Sequence, residues 1–283
     1  IMKKLKLFHL IFALSIMEII MFLAIDCGNT NTVIALYTYS NKKLTLLNLW
    51  RINSDIKRTS DDYYVWLNQA FSIFNIKISQ IKGICIASVV PEVLLNIKIM
   101  IKKYFKIKTL IVGEDNINLD INIENPKEAG ADRVVNAFAA HVLNYSPAII
   151  IDFGTATTFD IVGKNGSYDG GIIAPGINLS VEALYSSTSR LPKIVVKQLE
   201  DEKNTLIGRN TISAIESGVY WGYVCMIEGL ISKLKNIYKN SKIIATGGLS
   251  EIFIKNISSI DFVEKDLTIT GLAHIYISYF KKK

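Results

Sequence analysis

Short apolar runs, each ended by glycine or a polar cluster, alternate along the chain with stretches whose apolar residues recur every three or four positions. The runs predict strands at Met21–Ile25, Thr32–Tyr37, Leu44–Ile52, Gly83–Ala87 and Thr109–Val112. In the second half they predict strands at Ala148–Asp152, Thr158–Val162, Gly170–Ile173 and Ile243–Ala245, with Asn165-Gly166 turning one hairpin. The longer period predicts helices over Ser60–Phe74, from Pro91 onward, Arg133–Leu143, Asn178–Tyr185, Ser213–Tyr238 and through Ile275. In the first, Ser60 is the expected cap and Tyr64, Leu67, Ala70, Phe71 and Phe74 the expected inner face. Ser213 and Glu216 are the expected capping box of the longest helix. Ser186–Asn204 reads as irregular. A meander, a helix, a strand and a helix, repeated, make a duplicated α/β plan.

The duplication extends to its turns. Asp26-Cys27-Gly28-Asn29-Thr30 and Asp152-Phe153-Gly154-Thr155-Ala156-Thr157 each follow an apolar strand and precede another. Each places a carboxylate at a strand end, then a glycine bend with backbone N–H, hydroxyl or amide groups suited to an anion. A lone copy is what any hairpin turn contains, its Asp bonding its own backbone. Two copies in matching contexts point to a two-lobed enzyme that uses ATP, with each Asp placed to hold a cation against phosphate oxygens. Neither G-x-x-x-x-G-K-[ST] nor G-x-G-x-x-G is present after a strand.

Composition narrows the class without naming it. The 283 residues carry a formal charge of +7, but the lysines are scattered and the runs short, as on solvated faces rather than a nucleic-acid surface. Cys27, Cys85 and Cys225 are far apart and lack metal or disulfide spacing, which fits a reducing, cytoplasmic setting. His9, His141 and His274 are equally isolated. Lys3, Lys4 and Lys6 before an apolar stretch resemble a secretory leader or membrane anchor. Glu18 interrupts that stretch, and cleavage near Ala24 would destroy the strand carrying Asp26. Residues 1–20 are therefore read as an extension outside the fold, with the natural start at Met21 or Met17.

Between the two turns stands Gly130-Ala131-Asp132-Arg133, at the start of a helix. Asp132 reads either as the helix N-cap or as a general base for a hydroxyl attacking a phosphoryl group. Arg133 is suited to grip an anion. Thr211 precedes the longest helix, where N–H groups favour an anion. Gly247-Gly248 permits close approach of a flat group, and Gly218 reads as a packing position between helices, including helices of two subunits.

In order, these motifs are Asp26-x-Gly28-Asn29-Thr30, Ser88-Val89-Val90-Pro91, Asn125-Pro126 to Arg133, and Asp152 to Thr157. Gly170-Gly171 with Pro175-Gly176, Asn210-Thr211 with Ser217-Gly218, Thr246-Gly247-Gly248 and Leu267 to Leu272 complete the series. From Met21 onward the chain resembles the type III pantothenate kinases.

That resemblance implies duplicated ribonuclease H-like lobes of the actin-like ATPase kind, residues 21–145 and 146–283, with an ATP cleft between them. It implies a cytoplasmic homodimeric kinase, a transferase that phosphorylates pantothenate to 4'-phosphopantothenate at the start of coenzyme A synthesis. ATP with Mg²⁺ and a monovalent cation, K⁺ or NH₄⁺, are the implied cofactors. Asp26, Cys27, Gly28, Asn29, Thr30, Asn31, Thr32 and Val33 would form one ATP loop, Thr155 would touch ATP, and Asp26 would orient Mg²⁺. Asp152 would hold the monovalent cation. Asp132 would be the catalytic base, and Gly130, Ala131, Asp132, Arg133 and Thr211 would bind pantothenate. Many members carry Tyr where this chain has Ile123. The rival readings are another small-molecule kinase of this fold, or a non-enzymatic ATP-binding regulator.

Overall fold

The computed structural model describes residues 19–281, so most of the N-terminal extension, with His9, lies outside the described residues. The first sheet contains β1 (Ile20–Cys27), β2 (Asn31–Ser40), β3 (Lys43–Asn53), β4 (Ile81–Ser88) and β5 (Thr109–Ile111) in the order β3-β2-β1-β4-β5. The second contains β6 (Ala148–Phe153), β7 (Ala156–Val162), β8 (Tyr168–Pro175), β9 (Lys242–Thr246) and β10 (Phe262–Val263). Its order, β8-β7-β6-β9-β10, repeats the first, with an antiparallel meander and two further parallel strands in each. The helices are α1 (Ser60–Ile73), α2 (Pro91–Met100), α3 (Ala131–Val142), α4 (Ile177–Ser186), α5 (Thr211–Ile237) and α6 (Leu267–Lys281), with short turns of helix elsewhere.

The chain divides into two compact units, residues 19–115 with 272–281, and residues 116–271. The duplicated plan predicts a single boundary at 145/146. The contacts instead group α3 and the segment before it with the second sheet, and the end of α6 with the first.

In the first unit Phe22, Leu23, Ala24 and Ile25 are all fully buried, because the middle strand of the sheet is covered on both faces. Alternation sorts them: Leu23, Ile25 and Cys27 join the cluster under α1 and α2, while Phe22 stacks on Tyr276 at 4.3 Å on the other face. Gly83 on β4 leaves space for that tyrosine, since a β-carbon there would stand 2.0 Å from its hydroxyl. In the second unit Ile149, Ile151 and Phe153 pack with α5, and Ala148 and Ile150 pack with α3.

Several expectations shift by a residue or two. Ile20 is buried and pairs with Tyr39, so the fold begins before Met21. The cap of α1 is Thr59 rather than Ser60, because Asp62 three residues on can bond back to its N–H (2.9 Å) while its hydroxyl receives Asp62 N–H (3.2 Å). That start buries Tyr63 in place of Tyr64 and leaves Phe74 half exposed. Asn210 with Ser213, not Ser213 with Glu216, caps α5. The two-residue β10 and the short helical turn Glu202–Thr205 have no counterpart among the elements expected from the sequence.

Candidate active site

The first turn is built by β1 and β2. Asp26 pairs opposite Val33 and Cys27 opposite Thr32, and Gly28 N–H donates to the Asn31 carbonyl at 3.0 Å. Asn29, Thr30 and Asn31 are exposed at its tip. Ser54 holds the turn from the side, donating its N–H to the Thr30 carbonyl (3.0 Å) and placing its hydroxyl 2.9 Å from that of buried Thr32. Burial, then the Asp26 charge, push the Cys27 thiol up to about 12, so this side chain is a packing group and its backbone alone faces the turn.

The second turn repeats the form, with Gly154 N–H donating to the Ala156 carbonyl (3.2 Å) and Thr155 exposed. Gly176 passes so close that a β-carbon on it would stand 2.1 Å from the Thr155 carbonyl oxygen. On β6 the residues alternating with Ile149, Ile151 and Phe153 end in Asp152, which therefore faces the α3 side. By the same alternation Asp160 on β7, between Phe159 and Ile161, faces that side too.

What α3 brings there is Asp132, Arg133 and Asn136. The helix is capped by extended Gly130 without a side-chain bond, so Asp132 is its second residue and not the N-cap. Its Oδ1 accepts Arg133 N–H at 2.8 Å and occupies space that a β-carbon on Gly130 would contest at 2.6 Å. Burial raises the Asp132 carboxyl above its ordinary range, and the backbone bond and the Arg133 charge only partly oppose that. A carboxylate so raised is a better proton acceptor near neutral pH. Ala131, the first helical residue, is partly buried.

Asp152 is pushed up to about 7, by burial first and then by the charges of Asp132 and Asp160. Asn136 donates weakly to it (3.4 Å), and Thr268 fixes that amide by donating to its carbonyl oxygen at 2.8 Å. Gly247, with φ near +90°, lies against its Oδ1.

Arg133 answers one acid of the three. Its Nε donates to Asp160 Oδ1 at 2.5 Å, and its guanidinium lies 5.4 Å from the ring centre of Tyr168. Thr158 donates its hydroxyl to Asp160 Oδ2 at 3.0 Å. Burial pushes the fully buried Asp160 up to about 6 despite that guanidinium. The Arg133 Nη2 is buried without a partner, a state that costs about 1–3 kcal/mol until an acceptor arrives.

Asp132, Arg133 and Asp152 thus meet within the second unit, and Asp26 belongs to the turn of the first. Thr211, the first residue of α5, is exposed on a largely apolar groove of about 950 Å³ that Gly218 and Met226 also line. Ile123 is partly buried beside Gly170. Sequence reasoning missed Asp160, Asn136 and Tyr168. The available signal was an acid inside Phe159-Asp160-Ile161 and an amide inside Val135-Asn136-Ala137, each a polar residue where the pattern wants an apolar one.

Among the described residues no group of three or more His, Cys, Asp or Glu is arranged to hold a metal alone. Arg133 nevertheless leaves Asp132 and Asp152 without a cationic partner, which fits a cation held jointly with other oxygens.

Two α/β units of one plan, each with an Asp–Gly turn at the end of its middle strand, make a duplicated ribonuclease H-like, actin-like fold. A family model described as type III pantothenate kinase matches residues 22–233. The chain belongs to the type III pantothenate kinase family, a family of kinases that use ATP and a divalent metal. It is 42% identical over 258 residues to the type III pantothenate kinase of Caulobacter vibrioides, covering 90% of this chain and 97% of that one. It is 45% identical over 259 residues to that of Zymomonas mobilis subsp. mobilis, covering 90% and 92%. A solved structure described as a conserved putative Baf family transcriptional activator from Campylobacter jejuni aligns with a TM-score of 0.56 at 19% identity, over 92% of this chain and all of that one, and speaks to fold alone.

Proposed function

We propose that this chain phosphorylates pantothenate on its primary hydroxyl, forming 4'-phosphopantothenate and ADP in the first step of coenzyme A synthesis. The observation that carries the chemistry is the start of α3, where a carboxylate with raised proton affinity stands beside an arginine with an unsatisfied donor. Asp132 accepts the hydroxyl proton as oxygen bonds to the γ-phosphorus and the bond to ADP breaks. Arg133, with Gly130 and Ala131 shaping the approach, holds the substrate carboxylate.

The turn from Asp26 to Val33 takes ATP phosphates on its N–H groups, Thr155 adds a further contact, and Asp26 orients the divalent ion. Magnesium, when bound, neutralises phosphate charge. Asp152 holds a monovalent cation, K⁺ or NH₄⁺, whose charge offsets the acid cluster.

The protein acts as a homodimer in the cytoplasm. Ala214, Gly218, Gly222, Cys225 and Gly229 form a continuous exposed line on α5, and β-carbons on the three glycines would meet nothing within 4 Å. A face of that kind suits a second copy, with Thr211 at its edge. Among the described residues no helix is long and apolar enough to cross a membrane.

The test is ADP release with ATP and Mg²⁺, comparing pantothenate with none and potassium with sodium. Release that needs pantothenate and rises with potassium supports the reading, and ATP binding without release under any of these conditions would overturn it.

A further inference from the structure

The slot that holds Arg133 is made by strand geometry. Asp160 on β7 stands opposite Gly171 on β8, next to a shift of register. A β-carbon on Gly171 would lie 2.6 Å from Arg133 Nη2 and 2.0 Å from the Phe159 carbonyl oxygen. The guanidinium therefore fills the place where residue 171 would have a side chain. Tyr168, two residues before Gly170 on the same strand, supplies a ring against its face, at 5.4 Å. Asp160 takes Nε on one edge, and Thr158 fixes the other carboxylate oxygen. One donor, Nη2, is left over and buried.

An arginine gripped by Nε cannot rotate about its terminal bonds without losing a charged hydrogen bond, so the direction of Nη2 is set by Asp160. We propose that Asp160 is a positioning residue that presents Arg133 Nη2 to the carboxylate of the substrate and thereby selects an acid over its neutral analogues. Asp160 touches no substrate and takes no proton from it. Its effect reaches the reaction only through Arg133. The proposal rests on the reading of the chain as a pantothenate kinase.

The experiment compares pantothenate with the corresponding alcohol, in which CH₂OH replaces the carboxylate, in the full-length protein. The ratio of kcat/KM for the two does not depend on how much of a preparation is folded. If the unaltered protein releases no ADP with either compound, the function itself is wrong and the positioning role falls with it. If the unaltered protein is active, Asp160→Asn should raise KM for pantothenate roughly ten- to a hundredfold. KM for ATP and kcat should stay within a few-fold, and the preference for the acid should fall toward that of Arg133→Lys.

In the Arg133→Lys background, adding Asp160→Asn should change the acid-to-alcohol ratio little, because the pathway is already cut. Should Asp160→Asn fail to fold, Thr158→Val, which removes only the 3.0 Å bond to Asp160, should lower the ratio in the same direction by a smaller factor. An unchanged ratio in Asp160→Asn, or in Thr158→Val where that variant is used, overturns the proposal while leaving the kinase activity intact. Equal losses for acid and alcohol do the same.

Discussion

A β-carbon placed on Gly247 would stand 2.4 Å from Oδ1 of Asp152 and 2.8 Å from the backbone of Phe153. The residue also adopts φ near +90°, which side-chain-bearing residues rarely occupy. Thr246-Gly247 at the end of β9 therefore acts as the back wall of the carboxylate, through a backbone that has no side chain to interfere. Gly247→Ala should destabilise the protein by about 2 kcal/mol or more, the strain of the left-handed conformation adding to the clash. It should also depress turnover beyond what the fall in folded fraction explains. Thermal melts and ADP release on the same preparation check both parts, and a variant that melts and turns over normally would remove Gly247 from the site.

The Asp152 carboxyl, raised from 3.8 to about 7, gives a pH dependence with a definite sign. In the unfolded chain this acid ionises near its ordinary value, so between roughly pH 4 and 7 the folded state holds the extra proton. Its contribution to stability is therefore greatest below that window and is lost as the pH rises through about 7. Asp160, raised to about 6, adds in the same direction. A cation bound to ionised Asp152 should offset that loss. Potassium, compared with choline at equal ionic strength, should raise the melting temperature at about pH 8.5 and much less at about pH 5.5. Equal effects at the two pH values would separate potassium from Asp152.

Asp132→Asn should keep ATP affinity and lose turnover by roughly 10²- to 10⁴-fold, the range a positioned general base contributes. Because Gly130, not Asp132, caps α3, the change removes little from helix stability. Melting temperature and ATP binding serve as controls. Near-normal turnover would leave Asp132 with only its local bond to Arg133 N–H.

The three cysteines should separate cleanly in a labelling experiment. Cys27 and Cys85 are buried and their thiols are pushed upward by burial, so alkylating reagents should reach them only after unfolding. Cys225 is exposed in the protomer, on the same face of α5 as Gly222. If that face joins two copies, Gly222→Trp should shift the protein from dimer to monomer in sedimentation or light scattering and speed labelling of Cys225. A dimer that persists with unchanged labelling would place the interface elsewhere.

The sequence determined the local elements and their repetition. Strand and helix periods, the two Asp–Gly turns, Pro91 opening α2 and the Asn165-Gly166 hairpin depend on neighbours within a few residues, and such patterns are written directly in the chain. Tertiary structure decided which polar groups meet. Arg133 and Asp160 are 27 positions apart, and their contact follows from two alternations, along β6 and β7, that turn Asp152 and Asp160 toward the helix carrying Arg133. The short β10 forms only by pairing with β9, and the division of the chain near residue 116 follows from where α3 packs, not from any break in composition. Burial then did what composition cannot: it excluded the Cys27 thiol from chemistry and raised the proton affinity of three aspartates, because the cost of a charge depends on its surroundings in space.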